Sequence, residues 1–222
     1  MSRRFDLLIL DLDGTLVDSA ALLVGLVNDT LAAHGYPRAD SRAVGASIGL
    51  PLDEVFRRTA PRADAEEIKG LCRAYRLRAD APEFVRQFTL CAGVKQALAA
   101  FRANGLRLVV ATSKRRATTL DVLRHCAIDA HLDAVIGGDS VAQGKPHPEM
   151  VYRAHALFPA PAHRTLVVGD TRFDMEMGRV AGVATCAVTY GVHAAHDLRA
   201  LQPDFVIDAF GSLRNVVFDA ES

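Results

Sequence analysis

Asp11 and Asp13 stand two residues apart at the end of the run Phe5-Asp6-Leu7-Leu8-Ile9-Leu10, and Gly14 follows them. A strand's period of two points both carboxylates the same way. Gly14 permits the sharp bend that would end such a strand. Two carboxylates converging at the tip of a buried strand repel each other. A divalent cation is the simplest compensation, and an Asp beside one is suited to act as a nucleophile.

Other polar groups fall at comparable places. Thr112 and Ser113 follow the apolar run Leu106 to Ala111, and Lys145 precedes Pro146 in a loop. Asp170 ends the run Thr165 to Val168 after Gly169, and Asp174 comes one helical turn later. Three carboxylates near one point suit a hard cation with oxygen ligands, Mg²⁺. A hydroxyl, N–H groups near a helix start and an ammonium suit a phosphate. Together they spell phosphoryl transfer, with Thr112, Ser113 and Lys145 as the phosphate-binding set.

Each residue also has an ordinary role when taken singly. A strand-end Asp caps a helix or sits in a solvated turn. Thr112 and Ser113 can cap the helix starting near Arg115. Lys145 can be an exposed loop residue. These readings lose jointly, because chance would have to set a matching residue at each of several strand ends. Asp18 reads as a capping residue beside Ser19 and stays outside the site. Lys114 is as readily a solvated cation as a substrate contact. His193 and His196 read as surface residues.

The elements that must position these groups follow from periodicity. Phe5 to Leu10 is a predicted strand. From Ser19, a plausible N-cap, Leu22, Leu23, Leu26, Val27, Thr30 and Leu31 recur at helical spacing, and Gly35 with Pro37 ends the helix. The stretch Val44 to Pro51 reads as a loop, with helices at about Leu52 to Thr59 and Ala63 to Arg78. Residues 19–90 are therefore expected to form a helical cap domain inserted into a core of residues 1–18 and 91–222. After Gly93 the grammar becomes regular. Predicted strands at 106–111, 134–136, 165–168, 184–188 and 205–207 alternate with helices. Such alternation predicts an α/β fold, a doubly wound parallel sheet with helices on both faces. Ligands bind such sheets beyond the carboxyl ends of the strands, where Asp11, Thr112 and Asp170 fall.

The chain has 222 residues, half of them hydrophobic, and a formal net charge of zero. That balance favours neither nucleic acid nor an anionic membrane as a partner. Of 26 basic residues only four are Lys, at 69, 95, 114 and 145. The four Cys are widely spaced with no C-x-x-C pair, so they read as reduced thiols. The first apolar run is too short for a signal segment, and no run approaches the roughly 18 apolar residues of a membrane span. A soluble cytoplasmic protein is expected.

The motifs Asp11-Leu12-Asp13-Gly14-Thr15-Leu16, Thr112, Lys145-Pro146 and Gly169-Asp170-x-x-x-Asp174 resemble the four motifs of the haloacid dehalogenase (HAD) superfamily, in order and with similar separations. The helical stretch at 19–90 resembles that superfamily's small α-helical cap. The resemblance implies that Asp11 attacks phosphorus and forms an aspartyl-phosphate. Asp13 would protonate the leaving oxygen and then deprotonate the hydrolytic water. Thr112 would hydrogen-bond the phosphoryl group, and Lys145 would neutralise it. Asp11, the Asp13 backbone carbonyl and Asp170 would bind Mg²⁺. Asp174 would ligate directly, through a water, or act through Lys145.

Within the superfamily, Asp13 points away from the dehalogenases, which lack that acid. Leu23 stands where β-phosphoglucomutases carry a His, which argues against a mutase. Lys69, the only Lys of the insert, lies in a charged helix and opposes the phosphonoacetaldehyde hydrolases. Asp13 to Ser19, Ile136-Gly137-Gly138-Asp139, Lys145 to Pro148 and Thr189-Tyr190-Gly191 resemble phosphoglycolate phosphatases and relatives that include pyrophosphatases. The expected activity is hydrolysis of a small phosphorylated metabolite, with specificity set near the Gly45–Pro51 loop. A receiver-like phospho-Asp module and a chaperone that lost the chemistry are readings from other classes. The acid/base Asp13 and the insert oppose the first, and the intact motifs oppose the second.

Overall fold

The computed structural model describes residues 3–218. Six parallel strands form the central sheet: β1 (Leu7–Leu10), β4 (Arg107–Ala111), β5 (Ala134–Ile136), β6 (Thr165–Gly169), β7 (Ala184–Val188) and β8 (Phe205–Ile207), in the order β5-β4-β1-β6-β7-β8. Two further strands, β2 (Val17–Asp18) and β3 (Thr89–Leu90), pair antiparallel. Alternation within the strands sends side chains to two cores. Leu8, Leu10, Leu108, Val110, Leu166 and Val168 enter one, while Leu7, Ile9, Val109 and Val167 enter the other. Burial on both faces is why these strands read as unbroken apolar runs. Helices α6 (Val94–Ala103), α7 (Arg116–His125) and α11 (Leu213–Val217) supply Leu98, Val122 and Val217 to the first core. Helices α8 (Glu149–Leu157) and α9 (Arg172–Ala181) supply Met150, Ala154 and Met177 to the second. Leu198 of α10 (Ala195–Ala200) packs with Met175 and Ala187.

The chain steps outward from β1 through β4 to β5, then returns to β6 on the other side of β1. In register Leu10 faces Val110 on one side and Val168 on the other. One residue further on, Asp11 therefore lies between the ends of β4 and β6. That is the switch point where doubly wound sheets bind ligands.

Between β2 and β3 run five helices: α1 (Ala20–Ala33), α2 (Ser41–Gly45), α3 (Leu52–Thr59), α4 (Ala65–Ala79) and α5 (Pro82–Val85). Val27, Leu31, Val44, Phe56, Ile68 and Leu71 form an apolar cluster there, and Phe173 of α9 joins it. Asp64 and Glu67 close a reciprocal capping box at the start of α4. No helix among the described residues is long and apolar enough to cross a membrane.

Several local expectations are corrected. The first strand starts at Leu7, because Asp6 turns out to pair with Arg164 while Phe5 packs edge-on against Phe205. The start of the Val44–Pro51 stretch is helical, since Asp40 caps α2 through the amides of Arg42 and Ala43. Ser19 occupies the N-cap position of α1 but makes no capping hydrogen bond, and its hydroxyl is buried without a partner. The two-residue strands β2 and β3 are too short to leave a periodic signature.

Candidate active site

Asp11, Asp170, Asp174 and Lys145 come from two strand-end segments, after β1 and from β6 into α9, and one loop, and they meet. Lys145, only 1% exposed and followed by a cis peptide to Pro146, reaches Asp11 Oδ1 at 2.6 Å and Asp174 Oδ1 at 2.6 Å. The other Asp174 oxygen accepts from the Thr171 amide at 3.1 Å and hydroxyl at 2.6 Å. Both oxygens of Asp174 are thus engaged within the chain, and one of them steers Lys145. Asp170 accepts from the Thr15 hydroxyl at 3.0 Å and from the Val192 amide at 2.7 Å. A Cβ on Gly14 would lie 2.1 Å from Asp170 Oδ2, so this turn needs glycine for space as well as for its φ of +78°.

Burial dominates the electrostatics. It raises the Asp11 carboxyl well above the usual carboxylate range; the Lys145 charge opposes that shift, and Asp174 and Asp170 add to it. Asp170 is pushed up to about 7, first by burial and then by Asp174. Burial disfavours the charged form of Lys145, yet Asp11 and Asp174 outweigh it and hold the ammonium. Carboxylate oxygens of Asp11, Asp170 and Asp174 lie within 4.8 Å of one another. Three carboxylates and one ammonium leave two formal negative charges in an enclosed space. That deficit and an all-oxygen donor set fit a hard divalent cation.

Asp13 faces another way. Its Oδ2 lies 3.0 Å from Lys114 Nζ, and its Oδ1 is buried with no hydrogen-bond partner. Lys114 in turn sits over the Phe88 ring, 5.1 Å from the centroid. Thr112 is buried, and its hydroxyl oxygen accepts from the Lys114 amide at 3.2 Å. Ser113 donates its hydroxyl to the Gly49 carbonyl at 2.6 Å, which ties the end of β4 to the inserted helices. Neither hydroxyl caps α7. Asp139 does so, through the Arg116 amide at 2.8 Å. Asp11, Asp13, Thr112, Ser113 and Lys145 all line one cleft of about 830 Å³, whose opposite wall is built from α1, α3, α4 and the Ile48–Pro51 turn.

Sequence reasoning missed several groups. Lys114 was a solvated cation as readily as a contact; it is nearly buried and paired with Asp13. Thr15, Thr171 and the Val192 amide orient the acids, and only the adjacency of Thr15 and Thr171 to Asp13 and Asp170 hints at this. His193 is not a surface residue. It is half-buried, accepts from the Arg172 amide at 3.1 Å and stacks edge-on with Phe173. Gly49, with φ +100°, approaches the core rather than open space, since a Cβ there would sit 3.1 Å from Thr171 and Phe173.

The architecture defines a doubly wound α/β enzyme with an acidic pocket at the switch point of its sheet. Residues 8–188 match the model of the haloacid dehalogenase-like hydrolase family. The chain belongs to that family and is a hydrolase of the phosphatase kind. It is 36% identical over 214 residues to the "probable phosphatase IndB" of Dickeya dadantii, covering 93% of this chain and 91% of the relative. It is 34% identical to a plasmid-encoded phosphoglycolate phosphatase of Cupriavidus necator, covering 92% and 90%. A crystal structure of a "predicted phosphoglycolate phosphatase" from Haemophilus somnus superposes with a TM-score of 0.87 at 28% identity, covering 96% and 98% of the two chains.

Proposed function

We propose that the chain is a Mg²⁺-dependent phosphatase that hydrolyses a small phosphomonoester through an aspartyl-phosphate on Asp11. The observation that carries this reading is the division of labour between the two strand-end acids. Asp11 sits in the buried cluster with Lys145, Asp174 and Asp170, while Asp13 turns away from that cluster and pairs with Lys114. Asp11, Asp170 and the Asp13 backbone carbonyl would hold Mg²⁺, and Asp174 acts through Lys145 because both its oxygens are engaged. When bound, the ion offsets the negative charge that otherwise keeps a phosphate dianion away from a carboxylate.

Asp11 attacks phosphorus, and the ester P–O bond breaks as the Asp11–phosphorus bond forms. Asp13 gives its proton to the leaving oxygen. It then takes a proton from a water that attacks the same phosphorus, and inorganic phosphate leaves with Asp11 restored. Lys145 keeps Asp11 in one orientation and offsets charge on the transferring group, while Thr112 donates to a phosphoryl oxygen. Ser113 joins the phosphate-binding set by releasing Gly49. The inserted residues 19–90 act as a cap over the core of 1–18 and 91–222, pivoting at the β2–β3 ribbon, and the enzyme works in the cytoplasm. Leu23, which lines the cleft, offers no proton-transfer group for a bound sugar, so water is the acceptor.

2-Phosphoglycolate is the first substrate to assay, since a relative acting on it shares a third of its residues with this chain. Asp11→Asn is expected to reduce phosphate release from 2-phosphoglycolate and from p-nitrophenyl phosphate by about 10³-fold or more, with the thermal transition retained. A folded variant that turns over as fast as the parent would refute the nucleophile.

A further inference from the structure

The cleft wall contributed by the inserted helices carries charges that the hydrolytic step does not use. Around the cleft, cations and carboxylates are matched almost one to one. Lys145 meets Asp11, Lys114 meets Asp13, Arg57 meets Asp53, Arg58 meets Glu54 and Arg115 meets Asp80. Arg76 also lines the cleft, and among the described residues it has no carboxylate or hydrogen-bond partner for its guanidinium. A guanidinium offers a planar fork of donors suited to a carboxylate or phosphate, and the other three arginines of this cleft are already occupied.

The residue before it points the same way. Tyr75 is fixed by an edge-on contact with Phe56, with ring centroids 6.0 Å apart. Its hydroxyl has no hydrogen-bond partner among the described residues, although the ring is largely enclosed. The negative charge of Asp13 reaches this phenol and, after burial, adds to the upward push on its proton affinity. Tyr75 lines the same cleft as Asp13, from the wall opposite it, and Asp13 is the group that must protonate the leaving oxygen. Tyr75, Arg76 and Ala79 of α4, with the C-cap residue Asp80, form one stripe that faces the cleft.

We propose that Tyr75 and Arg76 form a leaving-group subsite, and that the substrate's leaving part carries a second anionic group, a carboxylate or a phosphate, bound by Arg76. The proposal rests on the reading of this cleft as a phosphatase site and narrows its substrate class. Tyr75 hydrogen-bonds near the departing oxygen, while Arg76 reads the anion beyond it. A neutral alcohol or phenol would use only the phosphoryl half of the site.

The test compares 2-phosphoglycolate and pyrophosphate, which have anionic leaving parts, with p-nitrophenyl phosphate, which has none before cleavage. For Arg76→Gln the ratio of kcat/KM on an anionic substrate to that on the aryl ester is expected to fall roughly 10- to 100-fold, the worth of one charge-assisted hydrogen bond. Arg76→Lys is expected to restore part of the ratio, and Tyr75→Phe to lower it less. Titration calorimetry of 2-phosphoglycolate and pyrophosphate into Asp11→Asn, with and without Arg76→Gln, reads the subsite without turnover. Loss of binding in the double variant supports the subsite even if the parent hydrolyses none of the three, a result that would refute the phosphatase reading alone. A selectivity ratio within twofold of the parent, or binding unchanged by Arg76→Gln, would overturn the subsite.

Discussion

Lys145 lies between two carboxylates with almost no exposure, so its charge is as much a structural element as a chemical one. Lys145→Met keeps the volume and leaves Asp11 and Asp174 uncompensated. This variant is expected to lose about 3–5 kcal/mol of unfolding free energy in metal-free buffer, measured by urea titration, with partial recovery in Mg²⁺. Parent-like stability would show that the lysine balances nothing. Asp170 allows a test of sign. Its carboxyl titrates near 7 in the folded chain, owing to burial and Asp174, against 3.8 in the reference state. Between those values the folded chain keeps a proton that the unfolded chain has released, so stability falls as pH rises and levels off above about 7. His155 and His193, both lowered by burial, act in the opposite direction, so the measurement is the difference between the parent and Asp170→Asn. Relative to that variant, the metal-free parent should lose up to about 1.4 kcal/mol per pH unit between roughly pH 4.5 and 7. A difference that stays flat across this range would contradict the raised carboxyl.

Helix α9 connects the site to the sheet. Asp174 lies in its first turn, Phe173 enters the cluster of the inserted helices, and Gly178 presses on the strands beneath. A Cβ at Gly178 would lie 2.6 Å from Thr185 Cγ2 and 3.2 Å from Val167 Cβ. Both strand residues are β-branched and stiff at χ1, so the helix has to move. Alanine gains about 1 kcal/mol of helix propensity, and overpacking costs about 1–3 kcal/mol. Gly178→Ala is therefore expected to lower the thermal midpoint and also kcat, because the shift carries Asp174 away from Lys145. A midpoint equal to or above that of the parent would show slack between α9 and the sheet. The Ser113–Gly49 bond has a related role between elements, since it joins the end of β4 to the turn that precedes α3.

For the whole molecule, the acidic cluster exists only when β1, β6, α9 and the Lys145 loop are assembled. A cation that binds this cluster binds the folded chain and not the unfolded one. Mg²⁺ at a hundredfold excess over its dissociation constant is expected to add about 2.7 kcal/mol of stability. Chelation should remove that increment and the phosphatase activity together, as read by calorimetry and phosphate release. Activity that persists in EDTA would refute the ion's role. The antiparallel β2–β3 ribbon is the two-strand crossing between the sheet and the inserted helices, and the cleft of about 830 Å³ lies between them.

Much of this was already determined by the chain's local pattern. Buried parallel strands must be apolar throughout, so β1, β4, β6 and β7 stand out as runs, and the polar residues that end them mark one edge of the sheet. The short spacing set Asp11 and Asp13 near one strand tip, and a one-turn spacing set Asp174 near Asp170. But β1 ends at Leu10, so period two does not carry through and the two carboxylates diverge, Asp11 to Lys145 and Asp13 to Lys114. What local pattern does not encode is which distant groups meet. Only the order β4-β1-β6 brings Lys145 to Asp11 and Asp174, and only the folded turn shows Asp170 filling the space that glycine leaves at position 14. The Lys145–Asp174 bond, the pairing of Lys114 with Asp13 and the use of the Ser113 hydroxyl by Gly49 are contacts between segments far apart in sequence, and that Arg76 is left without a partner is likewise decided only by the fold. Periodicity reports which face of an element is buried, and only packing decides what that face touches.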